Sequence, residues 1–176
     1  MNSKEKVLIC KGIDRVKQGR LDEALELYDK VLELNPANTE AWNNRGVTLF
    51  RMGRLEEALE CSNRALEIEP NNLEALRNMG FILKTMGRFD EALECYDAVL
   101  KVGAEASDIE SKAMILVAIG RLRDAIEVVR EAIKTVPVPS SRLEDDLKAL
   151  MSLQEQEAGN QAGNQAEKQD EEQAEK

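Results

Sequence analysis

Apolar residues recur every three or four positions through most of the chain, and this spacing predicts a series of amphipathic helices. Glycine and proline interrupt the pattern at regular places. A first helix is expected to end at a glycine such as Gly19, and a second helix at a proline such as Pro36, because proline cannot continue the hydrogen-bond ladder. The chain is therefore expected to be all-α and built from pairs of helices.

The second helix of each pair belongs to a segment that occurs four times. Residues 53–70 have the sequence GRLEEALECSNRALEIEP, and similar segments begin at Gly19, Gly87 and Gly120. Successive opening glycines are 34, 34 and 33 residues apart. A fixed period of this length is typical of a repeat protein, in which each repeat buries its apolar face by stacking on its neighbours.

Another set of glycines lies inside the first helices, where glycine ordinarily costs about 0.5–1 kcal/mol relative to alanine. Gly12, Gly46 and Gly80 occupy equivalent positions of successive repeats. A close approach of the second helix explains why a side chain is missing there. The small residues expected opposite these positions are alanines of the second helices, namely Ala24, Ala58, Ala92 and Ala125.

At these positions the chain resembles the tetratricopeptide repeats. The resemblance implies a right-handed solenoid of antiparallel helix pairs. The sequence departs from the family pattern mainly at Lys11 and Arg15, where the family is usually apolar, and at Ala104, where a closing proline is expected. The fullest match is in the second repeat, at Trp42, Gly46, Leu49, Gly53, Leu55, Ala58, Ala65, Leu66 and Pro70. After an N-terminal lead of residues 1–4, four repeats are expected at 5–38, 39–72, 73–105 and 106–139.

Residues 140–157 follow the last repeat and carry a further amphipathic pattern. Ser141 and Glu144 have the spacing of a capping box, which predicts a helix start. We expect this helix to cap the open end of the solenoid, and the alternative is that it docks in the groove of another molecule. Its apolar face comprises Leu143, Leu147, Leu150 and Met151.

Residues 158–176 contain no apolar side chain larger than alanine. They cannot bury enough surface to offset the entropy of ordering, so we expect a disordered acidic tail. The whole chain of 176 residues has a formal net charge of −10, which argues against nucleic acid as a partner because phosphate binding needs a basic face.

The sequence offers no motif for catalysis, a metal or a cofactor. It has no histidine, and its three cysteines lack metal-ligand spacing. Cys61 and Cys95 occupy equivalent repeat positions and are expected to be packed side chains. Because no catalytic motif is found, a non-enzymatic protein is expected. The N-terminus lacks an apolar stretch long enough for an export signal or a membrane span, so a cytoplasmic protein without membrane contact is expected.

The resemblance also implies that the first helices line a concave groove that takes a protein or peptide ligand. Phe50 and Phe81 are the expected apolar anchors, although the alternative is that they only pack between neighbouring helices. Asparagines are expected to hydrogen-bond the ligand backbone, and basic residues to pair with its carboxylates. The candidate groove residues are Ile13, Asn44, Val47, Phe50, Arg51, Arg77, Asn78, Phe81, Lys84 and Met114, with Ile13, Val47, Phe81 and Met114 along an apolar floor.

Some members of the family hold the C-terminal carboxylate of heat-shock chaperones with a clamp of Lys, Asn, Asn, Lys and Arg. The equivalent residues here are Ile9, Ile13, Asn44, Glu74 and Asn78. Only Asn44 matches, and Glu74 has the wrong charge, so a clamp of that type is not expected.

Two non-enzymatic functions therefore remain open from the sequence. One is a scaffold or adaptor that captures a peptide or helix of a partner in the groove. The alternative is a self-associating structural module. Such a module would form a homo-oligomer through the C-terminal helix or an open end of the solenoid.

Overall fold

A computed structural model describes the backbone of residues 3–103, 105–135 and 141–174, and the side chains of these residues except Ser141 and residues 159–174. Within these ranges all regular secondary structure is helical, as the sequence predicts, and the fold is all-α. The helices are α1 (Ser3–Lys17), α2 (Leu21–Leu34), α3 (Thr39–Arg51), α4 (Leu55–Ile68), α5 (Leu73–Thr85), α6 (Phe89–Gly103), α7 (Ala106–Ala118), α8 (Leu122–Thr135) and α9 (Ser141–Ala174).

The chain forms two compact units, the first containing α1–α6 and the second α7–α9. In the first unit every helix packs on the next one along the chain. The odd-numbered helices also pack on one another, α1 on α3 and α3 on α5, whereas the even-numbered helices do not pack on one another to that extent. The odd-numbered helices therefore form the tighter layer, which is the inner face of this unit.

Each first helix ends in the same turn. The N–H of the residue after the turn glycine donates to the carbonyl five residues earlier, as Arg54 does to Leu49 at 3.0 Å, which satisfies an end carbonyl of the helix. Arg54 also pairs with Glu57 at 2.6 Å, and this contact lowers the pKa of the Glu57 carboxyl. The turn requires a left-handed residue, and φ is 76° or 77° at Gly19, Gly53, Gly87 and Gly120.

The glycines inside the first helices lie directly against the second helices. A Cβ on Gly12 would be 2.5 Å from Cε1 of Tyr28, and one on Gly80 would be 3.0 Å from Cε2 of Tyr96. The nearest groups are thus tyrosine rings rather than the expected alanines, because each tyrosine lies one helical turn beyond the alanine and on the same face. The alanines themselves are completely buried at Ala24, Ala58, Ala92 and Ala125.

The packing at Gly46 is different, because no tyrosine stands opposite it. A Cβ there would be 3.2 Å from Cβ of Cys61 and 3.4 Å from the carbonyl oxygen of Ala58. Cys61 is 1% exposed and Cys95 is 7% exposed, which confirms that both are packed side chains.

In the second unit α7 packs on α8, and α8 packs on α9. Leu143 of α9 is completely buried, and Arg142 pairs with Glu110 of α7 at 2.9 Å. The described residues do not include Ala104, or Pro137 and the predicted break after it. The side chain of Ser141 is not described either, so the predicted capping box is untested.

The backbone of α9 is helical as far as Ala174, beyond the predicted end of the capping helix. A helix without a buried apolar face is marginal in water. The disordered tail expected at residues 158–176 therefore stays a prediction. In the part of the chain that the structure describes, no helix is both long and apolar enough to cross a membrane.

Replacing Gly12 with alanine should lower the free energy of unfolding by about 1–3 kcal/mol, because the new methyl group overlaps the completely buried Tyr28 ring. Urea unfolding followed by circular dichroism measures the change. Cys10→Ala, on the exposed face of the same helix, is the control and should stay within about 0.5 kcal/mol of wild type. A Gly12→Ala protein as stable as this control would contradict the close packing.

The three cysteines should differ sharply in their reaction with iodoacetamide. Cys10 is exposed, whereas burial raises the pKa of the Cys95 thiol to about 11, so little of its reactive thiolate is present near neutral pH. At about pH 8 the folded chain should be alkylated at Cys10 alone, and in guanidinium chloride at all three cysteines. Peptide mass spectrometry locates the adducts, and rapid alkylation of Cys95 in the folded chain would show that its site is open.

Candidate functional site

An apolar cavity of about 230 Å³ opens on the inner face of the first unit, between α3 and α5. The rings of Phe50 and Phe81 meet across these two helices with their centroids 5.1 Å apart and their planes tilted by 59°. Phe50 is half-buried against the core, whereas Phe81 is 48% exposed. We call this site the inner cavity, and its lining residues are Val47, Phe50, Asn78, Phe81 and Ile82.

The two asparagines predicted for the groove have different environments. Nδ2 of Asn44 donates to the carbonyl oxygen of Glu40 at 2.8 Å, one turn earlier in α3, so one of its two N–H groups is already used. Nδ2 of Asn78 is buried and has no hydrogen-bond partner among the described residues. A buried donor without a partner is costly, and Asn78 is therefore the residue best suited to bind an incoming carbonyl group.

Basic side chains accompany the inner cavity on both helices. Arg51 is exposed at the end of α3, and Lys84 is half-buried at the end of α5. Neither has an ion-pair partner in the described part of the chain. Arg77, the other predicted basic residue, is half-buried on α5.

The charge of the first unit is divided between its two layers. α3 and α5 each carry two basic residues and one acidic residue, whereas α4 and α6 each carry four acidic residues and one basic residue. α2 carries five acidic residues and one basic residue. The inner face around the cavity is thus mildly basic, on a unit whose second helices are strongly acidic.

Two of the predicted groove residues lie elsewhere. Ile13 is half-buried against Ile9, Val31 and Ala41, in a separate apolar cluster of the first unit. Met114 belongs to the second unit, where it is 61% exposed and lines another cavity. The structure therefore brings together Val47, Phe50, Asn78 and Phe81, but it does not join Ile13 or Met114 to them in one cavity.

A side-chain network that sequence reasoning missed lies at the junction of α2, α3 and α4. Nε of Arg45 donates to Oδ1 of Asp29 at 2.9 Å, and Nη1 donates to Sγ of Cys61 at 3.1 Å. The guanidinium also lies 6.0 Å from the ring centroid of Trp42. Burial raises the pKa of the Cys61 thiol even though Arg45 opposes the shift. The spacing of Trp42 and Arg45 by one helical turn was visible in the sequence, but their contacts across the helices were not.

Among the residues with described side chains, no group of three or more His, Cys, Asp or Glu residues is arranged to hold a metal ion.

Comparisons with known protein families match the repeats in three overlapping stretches. Models described as tetratricopeptide repeat match residues 37–102 and 82–137, and a model described as TPR repeat matches residues 12–53. No curated protein sequence matches the chain significantly.

Several solved structures share the fold. MamA residues 41 to the end from Desulfovibrio magneticus RS-1 superposes with a TM-score of 0.72 at 19% identity, over 88% of this chain and 88% of that chain. The Sgt2 TPR domain from Aspergillus fumigatus gives a TM-score of 0.65 at 20% identity, over 70% of this chain and 83% of that one. At these identities the likeness concerns the fold alone.

A third structure is somewhat closer in sequence. The first TPR of Spaghetti (RPAP3), which was solved bound to the HSP90 peptide SRMEEVD, has a TM-score of 0.64 and 26% identity. The match covers 66% of this chain and 96% of that chain. With the family matches and the stacked helix pairs, these likenesses establish that this chain is a tetratricopeptide repeat protein, with the fold of a protein-interaction scaffold.

Proposed function

We propose that this protein is an adaptor that holds a peptide or a helix of a partner protein on the inner face of its first unit. The observation that carries the proposal is the inner cavity, where the half-exposed ring of Phe81 lies against Phe50 beside about 230 Å³ of open space. Aromatic side chains that are exposed at a cavity are typical anchors of protein interfaces.

The lining of the cavity favours a ligand with one large apolar side chain. Such a side chain would enter beside Phe50 and Phe81 and remove apolar surface from water. A backbone carbonyl of the ligand would then accept a hydrogen bond from Nδ2 of Asn78, which has no partner among the described residues. Satisfying this buried donor would recover a desolvation cost of roughly 1–3 kcal/mol.

The charges favour acidic residues beside the apolar anchor. Arg51 and Lys84 have no ion-pair partner in the described part of the protein, and both are free to bind a carboxylate. The acidic second helices would repel an acidic ligand from the outer surface, so that it is steered toward the inner face.

The peptide-bound neighbour supports an acidic peptide as the ligand, because that structure holds the peptide SRMEEVD, which has three acidic residues and one basic residue. The clamp for a chaperone C-terminus is not carried over to this chain. Ile9, Ile13 and Glu74 occupy three of its positions, and none of them can donate a hydrogen bond from a basic or amide group. We therefore propose that the ligand is recognised through an apolar anchor and not through a terminal carboxylate. The cytoplasmic location of the protein stays a prediction.

A random peptide library displayed on phage should yield ligands that combine a large apolar residue with nearby aspartate or glutamate. Phe81→Glu should weaken the selected peptides by roughly 30-fold or more, the loss expected for an anchor worth about 2 kcal/mol. Fluorescence anisotropy with labelled peptides measures Kd, and circular dichroism checks that helicity is unchanged.

The matched control for Phe81→Glu is Val102→Glu on α6. Val102 is 43% exposed, close to the 48% of Phe81, but it lies on a second helix of the same unit. The control should bind the peptides as wild type does. Equal loss in both variants, or loss in neither, would remove the inner cavity as the binding site.

Affinity for the selected peptides should fall when the salt concentration rises from about 0.05 M to about 0.5 M, because salt screens pairs between exposed charges. The double substitution of Arg51 and Lys84 by alanine should remove most of this salt dependence while the apolar contribution remains. Isothermal titration calorimetry at each salt concentration measures the effect. A salt dependence that is unchanged in the double variant would exclude these residues as the carboxylate partners.

A further inference from the structure

The second unit has an apolar cavity of its own, with a volume of about 380 Å³, between α7 and α9. Met114 and Val117 line it from α7, and Ala149 and Leu150 line it from α9. Met114 is 61% exposed and Val117 is 36% exposed, so the cavity presents apolar surface to solvent. We call this site the α7–α9 cavity, and none of the residues of the inner cavity belongs to it.

Carboxylates dominate the charged groups around the α7–α9 cavity. Glu110 is half-buried and is paired with the exposed Arg142 at 2.9 Å. Asp146 also lines the cavity and has no ion-pair partner among the described residues. The helix that carries Asp146, α9, has nine acidic and three basic residues and is the most acidic helix of the chain.

The most basic helix is α1, at the other end of the sequence, with five basic and two acidic residues. One of those two acids, Glu5, is 4% exposed and accepts a hydrogen bond from Nδ2 of Asn38 at 3.0 Å, so it does not neutralise the surface. The other acid, Asp14, is exposed and pairs with Lys17 at 3.9 Å. The solvent-exposed face of α1 is therefore a basic surface on a protein whose net charge is −10.

The same face of α1 carries an exposed apolar side chain. Val7 is 49% exposed, and Cys10 lies beside it one turn later. Lys4 and Lys11 flank Val7 at helical spacing and have no ion-pair partner in the part of the chain that is described. α1 thus offers an apolar side chain between two ammonium groups that have no ion-pair partner among the described residues.

We propose that the α7–α9 cavity of one copy binds α1 of a second copy, with Val7 in the cavity and Lys4 or Lys11 paired with Asp146. The apolar parts match in character, and the charges of the two surfaces are opposite. The contact joins two different surfaces of the chain, so it is heterologous, and repetition of it produces a closed ring or an open array. Neither surface contains a residue of the inner cavity, so peptide capture and self-assembly use separate sites.

The test is the mass of the full chain in solution, measured by sedimentation and light scattering up to about 1 mM, where a millimolar contact is half formed. The wild-type mass should rise above the 19.7 kDa of one chain as concentration rises, and it should fall again as salt is added. A chain that stays at 19.7 kDa over the whole range would overturn the proposal.

Charge reversal tests which surfaces meet. One double variant, Lys4→Glu with Lys11→Glu, makes α1 acidic. The other, Asp145→Lys with Asp146→Lys, makes the rim of the α7–α9 cavity basic. Each double variant alone should remain monomeric, because its two surfaces then carry charges of the same sign. An equal mixture of the two variants should assemble again, because each basic surface then has an acidic partner on the other chain. A mixture that stays monomeric would exclude pairing between α1 and α9.

Two further variants separate this contact from a general effect of charge. Lys30→Glu with Lys101→Glu makes the same change of net charge on exposed positions of α2 and α6, and it should assemble as wild type does. Met114→Glu places a charge in the cavity at an exposed position and should abolish assembly with helicity unchanged. Assembly of the Met114→Glu chain, or its loss in the Lys30→Glu and Lys101→Glu chain, would contradict the proposed contact.

Discussion

The close contact between the two helices of each pair is the constraint on which the rest of the first unit depends. At Gly12 a single added carbon would lie 2.5 Å from the Tyr28 ring, and at Gly46 it would lie 3.2 Å from Cβ of Cys61. The second helix of each pair contributes a small, completely buried residue to the same contact face, Ala24 in α2 and Ala58 in α4. The pair geometry is thereby fixed, and with it the alignment of α1, α3 and α5 in one layer.

That alignment separates the residues that build the scaffold from those available for binding. The second helices direct their alanines, tyrosines and cysteines toward the first helices and leave acidic residues outside. On the inner faces of α3 and α5, Phe50, Phe81 and Asn78 line a cavity. Nδ2 of Asn78 has no hydrogen-bond partner among the residues that the structure describes. The repeat accordingly preserves the fold while the inner face varies from one repeat to the next.

The fold was largely predictable because its determinants are local or periodic. Turn glycines such as Gly53 and the 3.6-residue apolar period are visible in a single sequence, and their recurrence predicts the stacking of helix pairs. The site was predictable only in part. The period placed Phe50 and Phe81 on equivalent faces. Sequence spacing does not show that Nδ2 of Asn44 donates within α3, or that Nδ2 of Asn78 lacks a partner among the described residues.

Amide chemical shifts of the full-length protein, recorded with and without a peptide selected from the phage library, test the central claim most directly. The account predicts that the largest shifts fall on α3 and α5 around Val47, Phe50, Asn78 and Phe81, while α2, α4 and α6 change little. Saturating shifts confined to the second helices, with α3 and α5 unchanged, would contradict it.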